Sequence, residues 1–148
     1  MARVEPYAHV AGLMEAIRRE GYLGANFDLI YGLPHQNRRR FARTLERVLA
    51  LRPDRVALYN FAYLPQAFPH QRRMDAEALP DPEEKLAIFL AAREAFTANG
   101  YVAIGLDHFA LEDDDLAVAF REGTMRRNFM GYTTQAGTDL LAFGVSAI

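Results

Sequence analysis

A carboxylate lies within the first strongly apolar run of the chain. Asp28 is flanked by Phe27, Leu29 and Ile30, and a short run of this composition predicts a buried strand. Burial of an unpaired carboxylate is costly, so this side chain should meet an arginine, a backbone amide, or a hydroxyl or amine of a ligand. The run by itself favours a structural role and a ligand-binding role equally.

Two later apolar runs also end in residues that could contact a ligand, since ligands of parallel α/β folds gather at the carboxyl ends of strands. The run ending in Tyr59-Asn-Phe-Ala-Tyr-Leu-Pro65 could wall a site for a flat ligand, although such rings more often form a core layer. Asp107 and His108, after the third run, point to opposite faces if the strand continues. In a loop both could serve in proton transfer or hydrogen bonding, although a lone loop histidine more often bonds to the backbone.

Two arginine pairs lie in loop-forming segments. One pair is Arg72 and Arg73, and the other is Arg126 and Arg127, which open the aromatic and hydroxyl-rich run 126–135. Guanidinium groups bind carboxylates or phosphates through two parallel hydrogen bonds, and rings can cover a planar body. A planar polycarboxylate fits this chemistry, and so does a phosphate, although no phosphate-loop glycine pattern is present. The ordinary alternative is a solvated basic turn.

The composition excludes several kinds of site. The 148 residues contain no cysteine, so this chain by itself holds no disulfide, thiolate nucleophile or cysteine-ligated metal centre. The four histidines lack metal-ligand spacing, and we predict no metal held by this chain. A net charge of −2 with interleaved signs offers no surface for nucleic acid or an anionic membrane. No apolar run approaches the ~20 residues of a membrane span and no signal peptide is evident, so we expect a cytoplasmic protein.

Helix and strand signals alternate along the chain. Gly21 stands where a helix C-cap glycine belongs, and Asp81 caps a helix with Pro82 at its first position and Glu84 at its third. The buried stripe of that helix is predicted to be Leu86, Phe89, Leu90 and Phe96. The predicted elements are helices through residues 10–17, 41–49, 82–99 and 113–122, and strands at 25–31, 55–59 and 101–104.

This alternation predicts crossover units and a parallel α/β sheet. Periodicity does not distinguish an open doubly wound sheet from part of a (β/α) barrel. The chain starts within a helix and stops on the apolar run 139–148, so we expect a piece of a larger enzyme, marginally stable because sheet edges are exposed. A self-contained domain with an apolar C-terminal strand is the alternative.

Six segments, in order and with nearly constant spacing, resemble those of one family. They are Asp28-Leu-Ile-Tyr-Gly-Leu-Pro34 with Gln36, Leu51-Arg-Pro-Asp-Arg55, Gln71-Arg72, Ile104-Gly-Leu-Asp-His-Phe-Ala110, Asn128-Phe-Met-Gly-Tyr-Thr-Thr134 and Gly144-Val-Ser-Ala-Ile148. Together they are similar to the oxygen-independent coproporphyrinogen III oxidases (coproporphyrinogen dehydrogenases), radical S-adenosylmethionine enzymes of haem biosynthesis. The fourth and fifth segments separate these oxidases from related haem chaperones.

The resemblance implies an incomplete (β/α) barrel of the radical S-adenosylmethionine type, of which residues 1–148 form a C-terminal portion truncated at both ends. The implied cofactors are S-adenosylmethionine and a [4Fe–4S] cluster whose ligands lie outside this chain. The implied reaction is oxidative decarboxylation of two propionates of coproporphyrinogen III to vinyl groups by a 5′-deoxyadenosyl radical, giving protoporphyrinogen IX. An electron donor, an electron acceptor and a full-length monomer are also implied, whereas the 148 residues alone are expected to be inactive.

The resemblance assigns binding roles to eight residues and leaves the catalytic residues unknown. The implied S-adenosylmethionine contacts are Arg3, Asp28, Ala62 and Ile148. The implied tetrapyrrole contacts are Arg72, Asp107, His108 and Arg127. This chain departs from the usual family residues at Tyr63, Met130 and Arg126, which affects fine substrate contacts and leaves the interpretation of Asp28 intact.

Two other functions fit parts of the sequence. One is a haem-binding or haem-trafficking relative that does not decarboxylate, which the fourth and fifth segments argue against. The other is a cysteine-free adaptor that stands alone as a small domain. An in-frame Cys-x-x-x-Cys-x-x-Cys motif upstream of Met1 would separate the oxidase from the adaptor.

Overall fold

The computed structural model describes residues 5–128, 131–135 and 137, which contain four α-helices and six strands. The helices are α1 (Tyr7–Arg19), α2 (Arg38–Leu51), α3 (Pro82–Ala98) and α4 (Asp115–Glu122). The strands are β1 (Asn26–Tyr31), β2 (Arg55–Asn60), β3 (Tyr101–Ile104), β4 (His108–Leu111), β5 (Arg126–Asn128) and β6 (Gly131–Thr133). Two short 3-10 segments, Pro69–Arg73 and Ala76–Ala78, lie between β2 and α3. None of the described helices is long and apolar enough to cross a membrane.

Local signals explain where the helices begin and end. At the start of α3, Asp81 Oδ1 accepts a hydrogen bond from the backbone N–H of Glu84 at 2.7 Å, as the capping pattern predicts. Asn37 and Asp114 cap α2 and α4 in a similar way. Gly21 follows α1 with a φ of 77°, a left-handed conformation that glycine adopts readily. The four predicted helices are confirmed.

The main sheet has the strand order β1-β2-β4-β3. β1 and β2 run parallel and are joined through α2, which confirms one crossover unit. β4 lies between β2 and β3 and runs antiparallel to both, so the predicted strands β1, β2 and β3 share one direction but the prediction of a wholly parallel sheet is wrong. The reason is a turn at Gly105, whose φ of 59° lets the chain reverse and form β4 from residues predicted as a loop. β5 and β6 pair separately as an antiparallel hairpin.

α2 and α3 cover one face of the main sheet and enclose the larger core. The predicted buried stripe of α3 is right for Phe96 and wrong for Leu86 and Leu90, which are 57% and 52% exposed. Ile88, Ala92 and Phe96 are instead fully buried. These three are spaced by four residues and therefore share one face of the helix, and the small Ala92 lets α3 approach the sheet.

The opposite face is covered over only half of its width by the described residues. α4 packs on β3 and β4 through a second core made of Ile104, Ala110, Leu116 and Ala117. Over β1, exposed residues alternate with half-buried ones, so the strand meets the core on one side only. The prediction that Asp28 is buried is therefore wrong. We call the uncovered surface of β1 and β2, with Asp28, Tyr59 and the adjoining His108 of β4, the open face.

Candidate functional site

The register of the sheet brings residues of three strands together on the open face. Asp28 lies beside Ala57 of β2, and Ala57 lies beside His108 of β4. Asp28 and His108 are therefore two strand spacings apart, about 10 Å. Tyr59 follows Ala57 by two residues, so its side chain projects from the same face. Positions that the sequence marks on three separate strands thus share one surface.

Asp28 is an exposed carboxylate near the middle of β1, rather than a buried one at its end. Its Oδ1 accepts a hydrogen bond from Asn26 Nδ2 at 2.8 Å, two residues away on the same face. The partner is thus a side-chain amide of the same strand and not an arginine. This contact orients the carboxylate while leaving it accessible to hydroxyl or amine donors of a ligand.

Tyr59 lies on the open face within electrostatic range of both Asp28 and Asp107. The residue is 37% exposed, so it lies on the surface. The aromatic composition of the run 59–65 favours a core layer instead. Burial raises the pKa of its hydroxyl, and the carboxylates of Asp28 and Asp107 raise this pKa further. The phenol therefore stays protonated at neutral pH and can donate a hydrogen bond to a ligand.

Asp107 and His108 form a hydrogen-bonded pair. Asp107 belongs to the turn before β4, so it does not follow the strand alternation, and its Oδ1 lies 2.7 Å from His108 Nδ1. Neither arrangement left open by the sequence describes the pair in full, because Asp107 lies in the turn whereas His108 is the first residue of β4. In the tautomer that carries its proton on Nδ1, the imidazole donates to this carboxylate and Nε2 is left as a hydrogen-bond acceptor.

Aromatic rings enclose the His108 side chain, which is 13% exposed. Tyr59 and Tyr132 contact the imidazole edge-on, with ring centroids 6.2 and 5.1 Å away and interplanar angles of 89° and 88°. The guanidinium carbon of Arg127 lies 5.4 Å from the centroid of the Tyr132 ring. The structure thus joins Arg127 to the Asp107–His108 pair through one tyrosine.

Gln71 positions the loop after β2 and is not among the predicted site residues. The side chain is only 6% exposed. Its Oε1 accepts from the backbone N–H of Leu64 at 2.5 Å, and its Nε2 donates to the carbonyl oxygen of Ala62 at 3.0 Å. Gln36 bridges the loop after β1 in the same way, with distances of 3.0 and 3.1 Å. A glutamine in the loop after each parallel strand is the sequence signal for this device.

Comparisons with known proteins show which enzymes this chain is similar to. The chain is 50% identical, over 99% of its length, to the oxygen-independent coproporphyrinogen III oxidase of Synechocystis, and covers 31% of that protein. It is 50% identical over 94% of its length to the enzyme of the same name from Escherichia coli, and covers 30% of it. A solved structure of E. coli coproporphyrinogen III oxidase (HemN), described as a radical SAM enzyme, matches 98% of this chain with a TM-score of 0.90 and 48% identity. The chain is homologous to about one third of an oxygen-independent coproporphyrinogen III oxidase. No protein-family model matches it.

The resemblance to the oxygen-independent coproporphyrinogen III oxidases drawn from the six segments is therefore confirmed. The match includes 43% identity over the whole chain to the anaerobic coproporphyrinogen III oxidase 1 of Cereibacter sphaeroides, of which 33% is covered. The chain spans about a third of the length of these curated relatives.

The residues assigned by resemblance to the coproporphyrinogen III oxidases fall into three groups. Asp28, Asp107, His108 and Arg127 lie on the open face or on the hairpin beside it. Two others lie on the loop after β2. Ala62 is exposed with its carbonyl held by Gln71, and Arg72 is exposed and donates from Nε to the carbonyl oxygen of Pro65 at 3.0 Å. The last two, Arg3 and Ile148, lie outside the described residues.

Proposed function

We propose that this chain is the later part of the radical domain of an oxygen-independent coproporphyrinogen III oxidase. The observation that carries this proposal is sequence identity of about half, over nearly the whole chain, to several such enzymes together with the TM-score of 0.90 to one of them. In this proposal the parallel unit β1–α2–β2 is part of an incomplete (β/α) barrel. The complete protein oxidatively decarboxylates two propionates of coproporphyrinogen III, with an electron donor and an electron acceptor as partners.

The open face supplies part of the S-adenosylmethionine site in this proposal. An exposed carboxylate that Asn26 orients fits the hydroxyl or amine groups of that cofactor, and Asp28 would accept hydrogen bonds from them. The backbone at Ala62 would contact the same molecule, and Gln71 would hold that backbone in place. When bound at a [4Fe–4S] cluster, S-adenosylmethionine supplies the radical that removes a hydrogen atom from the substrate. The chain has no cysteine, so the cluster ligands come from elsewhere.

The other side of the open face would bind the tetrapyrrole. Coproporphyrinogen III is a polycarboxylate, and its propionates suit the guanidinium groups of Arg127 and Arg72. Tyr59 is a protonated donor between the two halves of the site, where it could hydrogen-bond to a carboxylate. The Asp107–His108 pair adjoins both Tyr59 and the Tyr132 ring beneath Arg127.

The test uses the full-length protein that carries this chain, under anaerobic conditions, with coproporphyrinogen III and S-adenosylmethionine. We expect conversion to protoporphyrinogen IX. Asp28→Ala should weaken S-adenosylmethionine binding by about tenfold or more, because charge-assisted hydrogen bonds are lost. Asp113→Ala, at another exposed aspartate, is the matched control and should leave binding unchanged. Haem binding without turnover, or unchanged cofactor binding in Asp28→Ala, would contradict the proposal or the site respectively.

A further inference from the structure

The β5–β6 hairpin packs on the main sheet through the ring of Tyr132. The ring lies against Gly105 in the turn between β3 and β4. A Cβ atom at Gly105 would clash with the hydroxyl group of Tyr132 and would lie 2.8 Å from its Cε2. Because Gly105 has no side chain, it leaves a recess, and the Tyr132 ring occupies that recess.

His108 provides the second contact of the hairpin. Its imidazole meets the Tyr132 ring edge-on at 5.1 Å, and its Nε2 lies 3.6 Å from the position that a Cβ of Gly131 would take. Nδ1 of the same ring is held by Asp107 at 2.7 Å. The hairpin thus packs against a histidine whose ring orientation is fixed by the Asp107 carboxylate at Nδ1.

Arg127 is the side chain that this seating positions. It lies directly opposite Tyr132 in the hairpin register, and its guanidinium carbon is 5.4 Å from the ring centroid. A guanidinium over an aromatic face keeps its N–H groups in the guanidinium plane available for hydrogen bonds. All three residues of β5 are exposed, so those groups can meet a ligand.

We propose that Tyr132 is a positioning residue: held in the Gly105 recess and against His108, it fixes the Arg127 guanidinium as a carboxylate-binding group. This inference rests on the proposed function, in which the carboxylate is a propionate of the tetrapyrrole. It goes further by naming Tyr132 and Gly105, neither of which the sequence assigns to the site, as the residues that set the place of that contact.

The test measures binding of coproporphyrin III, a tetracarboxylate porphyrin, to the full-length protein by its fluorescence. Tyr132→Leu removes the ring and should weaken porphyrin binding by about tenfold, as Arg127→Ala should. Tyr132→Phe keeps the ring and should retain near-normal affinity. The affinity for S-adenosylmethionine should stay within about twofold in all three variants. A substitution that only lowered fold stability would weaken binding of both ligands, so a loss confined to porphyrin binding indicates a positioning role.

Gly105→Ala and Gly123→Ala form a matched pair. Both glycines have left-handed φ values, 59° and 71°, but a Cβ at Gly123 would have no atom within 4 Å. The two variants share the backbone strain, and only Gly105→Ala should displace Tyr132 and weaken porphyrin binding. Equal porphyrin affinity in the two, or unchanged affinity in Tyr132→Leu, would overturn the inference.

A second measurement keeps this inference separate from the proposed function. The ring protons of His108 are followed by NMR, because the Tyr132 ring shifts their resonances whether or not a porphyrin binds. We expect these resonances to move in Gly105→Ala and not in Gly123→Ala, and unchanged resonances in both would overturn the seating of Tyr132. Failure of the unmodified protein to bind porphyrin would instead refute the proposed function and the identity of the carboxylate.

Discussion

Charged side chains collect in two regions of the sheet, and they are used differently. At the amino ends of β1 and β2, Asp54 accepts a hydrogen bond from the backbone N–H of Ala25 at 2.6 Å and pairs with Arg18 at 2.8 Å. Arg55 in turn pairs with Asp114, the N-cap of α4, at 2.8 Å. Each of these carboxylates is held by groups from distant parts of the chain.

The open face contains acidic groups of a different kind. Asp28 is exposed and is oriented by a neighbour two residues away, and Asp107 is paired with the histidine that follows it. Such contacts are local and join no distant elements. The amino-end network therefore stabilises the fold, whereas the open face keeps its groups available to ligands. Substitutions should therefore separate stability from binding.

The largest expected contrast is between two aspartates. Asp54→Ala should lower the free energy of unfolding by about 3 kcal/mol, because a largely buried N–H loses its acceptor and Arg18 its partner. Asp28→Ala should change it by less than about 0.5 kcal/mol, since its contact is exposed and local. Urea unfolding of the two variants measures the contrast. Equal losses of stability would show that the open face is also structural.

The hydroxyl group of Tyr101 offers a second test of the amino-end region. It is buried and donates to the carbonyl oxygen of Pro53 at 2.6 Å, immediately before Asp54. Tyr101→Phe should cost about 1–2 kcal/mol of unfolding free energy, because the carbonyl keeps its burial and loses its donor. The matched variant on the open face is Tyr59→Phe, which should leave stability nearly unchanged. A stability loss in Tyr59→Phe as large as that in Tyr101→Phe would contradict the contrast.

Elements that depend on local chemistry were predictable from the sequence. The N-caps, the glycines after helices and the apolar periodicity are properties of neighbouring residues, so the helices and the strands β1 to β3 follow from them. β4 does not, because the residue types around Gly105 do not show whether the strand continues there or the chain reverses. The exposure of Asp28 is likewise not encoded in its run, since composition does not show which face of a strand is covered.

The candidate site was predictable in its residues and not in its geometry. Motif resemblance marks Asp28, Asp107, His108 and Arg127, but the pairing of Asp107 with His108 requires a turn whose conformation the residue types leave open. The role of Gln71 was missed for a different reason. The sequence shows a glutamine in the loop after each parallel strand, but it does not show which two backbone groups that glutamine bridges.

The contribution of Tyr101 to the stability of the amino-end region depends on pH. Burial raises the pKa of Tyr101 to about 12, above the usual 10.0, so the folded state keeps a proton that the unfolded state loses. The stabilisation is complete below pH 10 and is lost as the pH rises towards about 12. Urea midpoints should therefore fall across this range, and the fall should be smaller in Tyr101→Phe. An identical fall in both proteins would show that other groups, such as Tyr31 and Tyr59 with their raised pKa values, account for it.

The smallest expected effects on stability concern two arginines, one from each region. Arg18 bridges Asp54 and the carbonyl oxygen of Arg52, but it is 41% exposed, so Arg18→Ala should cost only about 0.5 kcal/mol. Arg127→Ala should cost no more, since Arg127 is itself exposed and lies on a short hairpin. The two variants should differ in porphyrin binding, which only Arg127→Ala weakens. Weakened binding in Arg18→Ala as well would mean that the amino-end network also shapes the open face, and the two regions would then have to be treated as one coupled unit.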